Sequence, residues 1–164
     1  MLIEPVEIDS IPQDISAVIK SSTNSILMGH PSQLEKDCVI EVSIADGLAP
    51  VNIDASKMDR VMTNLLINAI QASPKGGLIK VSAGNLRLTD PLPVFDGEVP
   101  AGDHVLVTIT DFGPGIPDAQ FKKLFTPYSS TKGEKGTGLG LAGSKWVVES
   151  HAGYIDVKTA FGGP

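Results

Sequence analysis

Asn64 and Asn68 stand four residues apart in Asp59-Arg60-Val61-Met62-Thr63-Asn64-Leu65-Leu66-Ile67-Asn68-Ala69, the most apolar helical pattern of the chain. A spacing of four puts both amides on one helix face. Asparagine is a poor helix-interior residue because its side chain competes for backbone hydrogen bonds, so two of them beside a leucine stripe call for a reason. One reason is a pair of buried, hydrogen-bonded amides. The other is an amide oxygen on Mg²⁺, a hard cation that keeps waters and borrows phosphate oxygens from a substrate. Thirteen Lys+Arg against nineteen Asp+Glu, a formal net charge of -6, suit such a cation.

Two glycine clusters, Asp111-Phe112-Gly113-Pro114-Gly115-Ile116 and Gly136-Thr137-Gly138-Leu139-Gly140-Leu141, flank a long polar stretch. Either alone is compatible with plain turn chemistry. The second, however, opens a helix, where uncovered backbone N–H groups and the positive dipole end make an anion site suited to phosphate. An ionised Asp111 only accepts hydrogen bonds, so at the edge of a base pocket it favours an exocyclic amino group, adenine over guanine. Two generic motifs fail on context. Gly138, Gly140 and Gly143 satisfy GxGxxG, but a polar loop rather than a strand precedes them. Gly143-Ser144-Lys145 reverses the end of a P-loop and misplaces its lysine.

The elements that must hold these residues follow from periodicity. Ile11, Ile15, Val18, Ile19, Ser22, Ile26 and Leu27 predict a helix from Asp9 to about His30, capped by Asp9 or Ser10 and stopped by Gly29-His30-Pro31. Cys38–Ile44 alternates as a strand, and Pro50–Ile53 is a short one. Asp54 caps the asparagine helix, in which Met58, Val61, Met62, Leu65, Leu66, Ala69 and Ile70 recur until Pro74 and Gly76-Gly77 break it. Strands are expected at Ile79–Ala83 and Val105–Thr110, joined by a long hairpin loop, Thr89–Asp103. Gly113–Thr137 lacks periodicity, and a loop of that length in a compact domain usually has a function. A helix, Leu139–Ser150, and a strand, Gly153–Lys158, close the chain. The order specifies an α+β class, a two-layer sandwich of a mixed β-sheet with helices on one face.

Length and composition bound the rest. One hundred and sixty-four residues with 41% hydrophobic content suit a single domain, 1–164. The acidic balance excludes a general cationic field for nucleic acid or an anionic membrane surface. Cys38 is the lone cysteine, and His30, His104 and His151 fall into no metal-ligand spacing. No apolar run approaches the length of a membrane span and the start lacks a signal-peptide pattern, so a cytoplasmic location is expected.

In chain order, NLLINA (64–69), DFGPGI (111–116), FKKLFTPYSSTK (121–132) and GTGLGLA (136–142) resemble four boxes of the ATP-binding domain of sensor histidine kinases in the GHKL superfamily. These are its asparagine, first glycine, phenylalanine and second glycine boxes. The likeness runs from about Glu4 to Gly163 and is similar to kinases of the nitrogen-regulation and hybrid-sensor type. It implies the GHKL fold with a long ATP lid over about 113–137, and ATP and Mg²⁺ as cofactors. Asn68 would hold Mg²⁺ and Asn64 would sit beside the phosphates. Asp111 would bind the adenine amino group, with Gly113, Gly115 and Ile116 shaping the pocket. Gly136, Thr137, Gly138, Leu139 and Gly140 would wrap the phosphates, aided by Thr131 and the catalytic candidate Lys132, with Lys135 second to it. GHKL ATPases carry a glutamate general base where this chain has Asn64, and an amide offers no such base, which favours phosphoryl transfer over hydrolysis.

The resemblance also shows departures. No segment matches the family's acceptor-histidine motif, so the chain reads as the catalytic portion of a kinase whose dimerisation and phosphoacceptor domain lies elsewhere. A response regulator receiver domain is the downstream partner, with no nucleic acid and no direct membrane contact, although the parent protein is open to membrane anchoring. Gln71 and Ala72 replace a lysine and an aromatic common in relatives, and Tyr128 replaces a lid phenylalanine. Lys122 and Lys123 read as solvated. The chain stops at Gly162-Gly163-Pro164, where relatives continue into a last strand, so an exposed sheet edge is expected. The competing readings are a nucleotide-sensing pseudokinase or docking module without chemistry, and an ATPase dimer disfavoured by Asn64.

Overall fold

The computed structural model describes residues 9–126 and 140–159. In chain order its elements are β1 (Ile11–Gln13), α1 (Ile15–Leu27), α2 (Pro31–Lys36), β2 (Val39–Ile44), β3 (Val51–Ile53), α3 (Ala55–Ala72), β4 (Leu78–Leu88), β5 (Leu92–Pro93), β6 (Glu98–Val99), β7 (Gly102–Asp111), α4 (Asp118–Phe121) and α5 (Gly140–Ser150). The main sheet has the order β2-β4-β7, with β2 parallel to β4 and β4 antiparallel to β7. This is the expected α+β arrangement of helices on a mixed sheet. Among the described residues, no helix is long and apolar enough to cross a membrane.

The core lies where the helix stripes meet one sheet face. Ile79, Val81 and Ala83 alternate inward from β4, and Met58, Val61, Met62, Leu66, Ala69 and Ile70 descend from α3 onto them. α1 packs beside α3 and adds Ile15, Val18, Ile19 and Ile26. Burying each of these large aliphatic side chains contributes about 1.5–3 kcal/mol. The Ser22 hydroxyl ties the two helices through Asp59 Oδ1, 2.6 Å away.

Four expectations need correction. The first helix begins at Ile15, because Ile11 precedes Pro12 and is pushed towards extended backbone, where it pairs with Ile53 of β3. Its cap is therefore Asp14, which accepts from the Ser16 N–H, rather than Asp9 or Ser10. His30 does not only end a helix: Pro31 occupies the first turn of α2, and His30 Nδ1 caps it by accepting from the Ser32 N–H at 3.2 Å. Gly153–Lys158 is not a strand. Ile155 and Val157 are half-buried between exposed neighbours, but side chains bind this segment instead of a backbone ladder, Asp156 to the Phe95 N–H and Thr159 to the Ile116 N–H. The Thr89–Asp103 connection is a loop only in part, since β4 and β7 extend into it and β5–β6 forms a second small hairpin.

Candidate nucleotide-binding site

Asp111 ends β7 directly opposite Ile79, and the two-residue period of the strand turns it to the helix-facing side. There it is half-buried, and its Oδ1 accepts from the Gly113 N–H at 3.0 Å. Among the described residues Oδ2 has no partner, which leaves one acceptor for a ligand amino group. Gly113 lies hard against the C-terminal end of α3. A Cβ at this position would stand 2.3 Å from the Ala72 carbonyl oxygen, so only glycine permits the approach. Gly115 has φ +83, a left-handed conformation that turns the chain towards Ile116, half-buried and bonded to Thr159. The first glycine cluster is therefore a bracket holding Asp111 beside α3.

Asn64 is exposed and Asn68 half-buried on the flank of α3, away from its buried stripe. With 1.5 Å of rise per residue, Asn68 lies about 6 Å and Asn64 about 12 Å back along the helix from Ala72. α5 packs against α3, and its far end is pinned to the first turn of that helix. The His151 Nδ1–H donates to Val147 O at 2.7 Å, and the ring's Nε2 accepts from the Asp54 N–H at 3.0 Å. A carbonyl only accepts and an N–H only donates, so these partners fix the neutral Nδ1–H tautomer. Gly140, at the other end of α5, lies about 16 Å along that helix from the His151 anchor.

Neighbouring charges are held firmly. Asp54 is kept below the usual carboxylate range, chiefly by the Ser56 hydroxyl, with help from the Asp9 and Lys57 N–H groups. Lys145 is pushed above the ordinary lysine value by Glu149 first and Asp96 second. Among the described residues no cluster of His, Cys, Asp or Glu could hold a metal. Asn68, with phosphate oxygens, fits Mg²⁺ in the manner that cation prefers, few protein ligands and several from substrate and water. A hollow of about 290 Å³ on the outer sheet face, lined by Ser43, Ser82, Asn85, Leu106 and Thr108, carries no titratable group. Its chemistry does not rival that of the site beside α3.

The structure brings Asp111 and Gly113 against the C-terminal end of α3, with Gly115 and Ile116 following in the same loop, while Asn68 and Asn64 stand on α3 itself and Gly140 begins the helix packed against it. Tyr128, Thr131, Lys132, Lys135, Gly136, Thr137, Gly138 and Leu139 lie outside the described residues. Lys122 and Lys123 are exposed, as expected. His104 has a structural contact, its Nε2 2.8 Å from Pro100 O. Sequence reasoning missed Phe95, whose ring meets both Phe121 and Phe125. A lone aromatic in a Pro/Gly-rich loop was the available signal.

The fold and the site define a nucleotide-binding domain of a known kind. Residues 53–163 match the family described as histidine kinase-, DNA gyrase B-, and HSP90-like ATPase, and the chain belongs to it. It is 30% identical over 161 residues to the sensor histidine kinase ZraS of Salmonella typhimurium, covering 98% of this chain and 31% of that protein. The mycobacterial sensor histidine kinase MprB superposes with a TM-score of 0.64 at 29% identity, over 87% of this chain and 80% of that one. A structure of the histidine kinase ThkA in complex with the response regulator protein TrrA shares the fold. Its TM-score is 0.62 at 19% identity, over 89% of this chain and 36% of that one. The chain spans less than a third of the length of the curated ZraS sequence.

Proposed function

We propose that this domain, spanning 1–164, binds Mg-ATP and transfers its γ-phosphoryl group to a histidine on a separate dimerisation and phosphoacceptor domain. From there the group passes to the receiver domain of a response regulator. The observation that carries the reading is the line along α3: Asp111 held at its C-terminal end through Gly113, Asn68 one turn back, and Asn64 two turns back. A nucleotide laid along that line meets an acceptor for the adenine amino group first and phosphate-binding groups afterwards. Asn68 would hold Mg²⁺, which neutralises phosphate charge when bound.

This chain's own residues position the reactants. Gly113 and Gly115 shape the base pocket, Asn64 and the N–H groups at Gly140 meet the phosphates, and Lys132 is the cation assigned to the transferred group. Neither asparagine can deprotonate water, so hydrolysis should be slow without an acceptor. The ThkA–TrrA complex and the sensor-kinase names of the relatives support a phosphorelay partner. Calorimetric titration with ATP and GTP, with and without Mg²⁺, tests the reading, followed by phosphorylation of a supplied phosphoacceptor domain. Adenine-selective, Mg²⁺-dependent binding with transfer to histidine is expected. Binding without transfer would indicate a nucleotide-sensing module, and rapid phosphate release without an acceptor would indicate an ATPase.

A further inference from the structure

The polar flank of α3 does not stop at Asn64. One turn further from Asp111 the helix carries Arg60, which is exposed. Side chains four apart on a helix are neighbours, with Cβ atoms about 5–6 Å apart, so Arg60, Asn64 and Asn68 form one continuous row. The guanidinium has no counter-ion. The adjacent carboxylate, Asp59, accepts from the Ser22 hydroxyl of α1 at 2.6 Å. Positions three and four away along the helix are Ser56, Lys57, Thr63 and Asn64, none of them acidic. Lys57 lies 3.7 Å from Asp54 Oδ2, and Lys145 of α5 is bridged by both Asp96 and Glu149. Of the lysines and arginines on α3 and α5, Arg60 is thus the one with no carboxylate partner among the described residues.

Building on the nucleotide-binding reading above, we propose that Arg60 binds the terminal phosphate of the nucleotide and so sets the preference for a triphosphate over a diphosphate. A base held at Asp111 leaves the phosphate chain to run towards the N-terminal end of α3, past Asn68 and Asn64, with each helical turn advancing about 5.4 Å. The last phosphate is the one that arrives at Arg60. Shortening the chain by one phosphate withdraws its charge from the guanidinium and leaves the contacts at Asp111 and Asn68 in place. A polyphosphate approaching a chain of net charge -6 needs positive charge supplied locally. Arginine supplies it through a planar fork of N–H donors that matches phosphate oxygens, and here no existing ion pair has to be broken first.

The test uses Arg60→Gln, which removes the charge, and Arg60→Lys, which keeps the charge and loses the fork. An exposed, unpaired side chain contributes little to stability, so both variants should melt within about 2 °C of wild type. Affinities for Mg-ATP and Mg-ADP are measured by calorimetry on the full chain. Arg60→Gln should raise the ATP Kd about tenfold and leave the ADP Kd within about twofold, and Arg60→Lys should recover most of the ATP affinity. Equal weakening of ATP and ADP, or an unchanged ATP Kd in Arg60→Gln while wild type binds both nucleotides, overturns the inference and leaves the base pocket standing. A wild-type chain that binds neither nucleotide refutes the site, and the role of Arg60 with it.

Discussion

Replacing Gly113 with alanine tests the bracket around Asp111 directly. The new Cβ would stand 2.3 Å from Ala72 O, 3.1 Å from Ala72 C and 3.1 Å from Asp111 Oδ1. The obstacle is helix backbone, which cannot rotate away, so the loop must retreat by about 1 Å to reach ordinary contact distance. Overpacking of this kind costs about 2 kcal/mol, equivalent to about 4–8 °C of melting temperature in a domain of this size. The retreat also separates Asp111 from α3, so ATP affinity should fall together with stability. Gly143, by contrast, is exposed in α5 with nothing within 4 Å of its virtual Cβ. There alanine removes a flexible residue from a helix interior and should raise stability by up to about 1 kcal/mol, about 2–4 °C. Thermal unfolding followed by circular dichroism, with ATP titration of each folded variant, reads both signs. A Gly113→Ala variant as stable and as tight-binding as wild type would refute the reasoning.

Other outcomes follow from single contacts. Asp111→Ala should weaken ATP binding about 10–100-fold, the worth of a charge-assisted hydrogen bond, with the fold intact by circular dichroism; unchanged affinity removes Asp111 from the pocket. Ser144 is buried with its Oγ unpartnered among the described residues. Ser144→Ala should therefore stabilise by about 1 kcal/mol, and a lower melting temperature would expose a hydrogen bond at that hydroxyl. Asp14 is kept below the usual carboxylate range, first by the Ser16 N–H, as Asp54 is by Ser56. A carboxyl with a depressed folded pKa contributes stability that is complete above its unfolded value and lost as pH falls through the folded one. Melting temperature should thus hold from neutrality downward and drop as pH passes below the ordinary Asp value of 3.8. Asp14→Asn with Asp54→Asn keeps both caps but removes both titrations, and should flatten the acid limb measured by pH-dependent melting.

What could be read from the sequence was local. Asp54 as cap, the stripe from Met58 to Ile70 and the break at Pro74 all depend on residues within a few turns of each other, and α3 formed as patterned. The strand Val105–Thr110 was also visible, whereas its extension to Asp111, which turns that carboxylate to the helix-facing side, was not. What escaped depends on distant partners. Ile11 leaves the first helix to pair with Ile53, and Phe95 finds Phe121 and Phe125 across the fold. The strand expected over Gly153–Lys158 did not form, because nothing local announced that Asp156 and Thr159 would spend their side chains on other loops. Gly113 was recognised as part of a pocket, while the reason for glycine, the Ala72 carbonyl, is visible only in three dimensions.

The anchoring of His151 at the Asp54 N–H has a mechanical consequence. A rod pivoted at one end moves least there and most at the other, so any tilt of α5 is magnified at Gly140. The trade is between a quiet base and a responsive tip, written into a single imidazole.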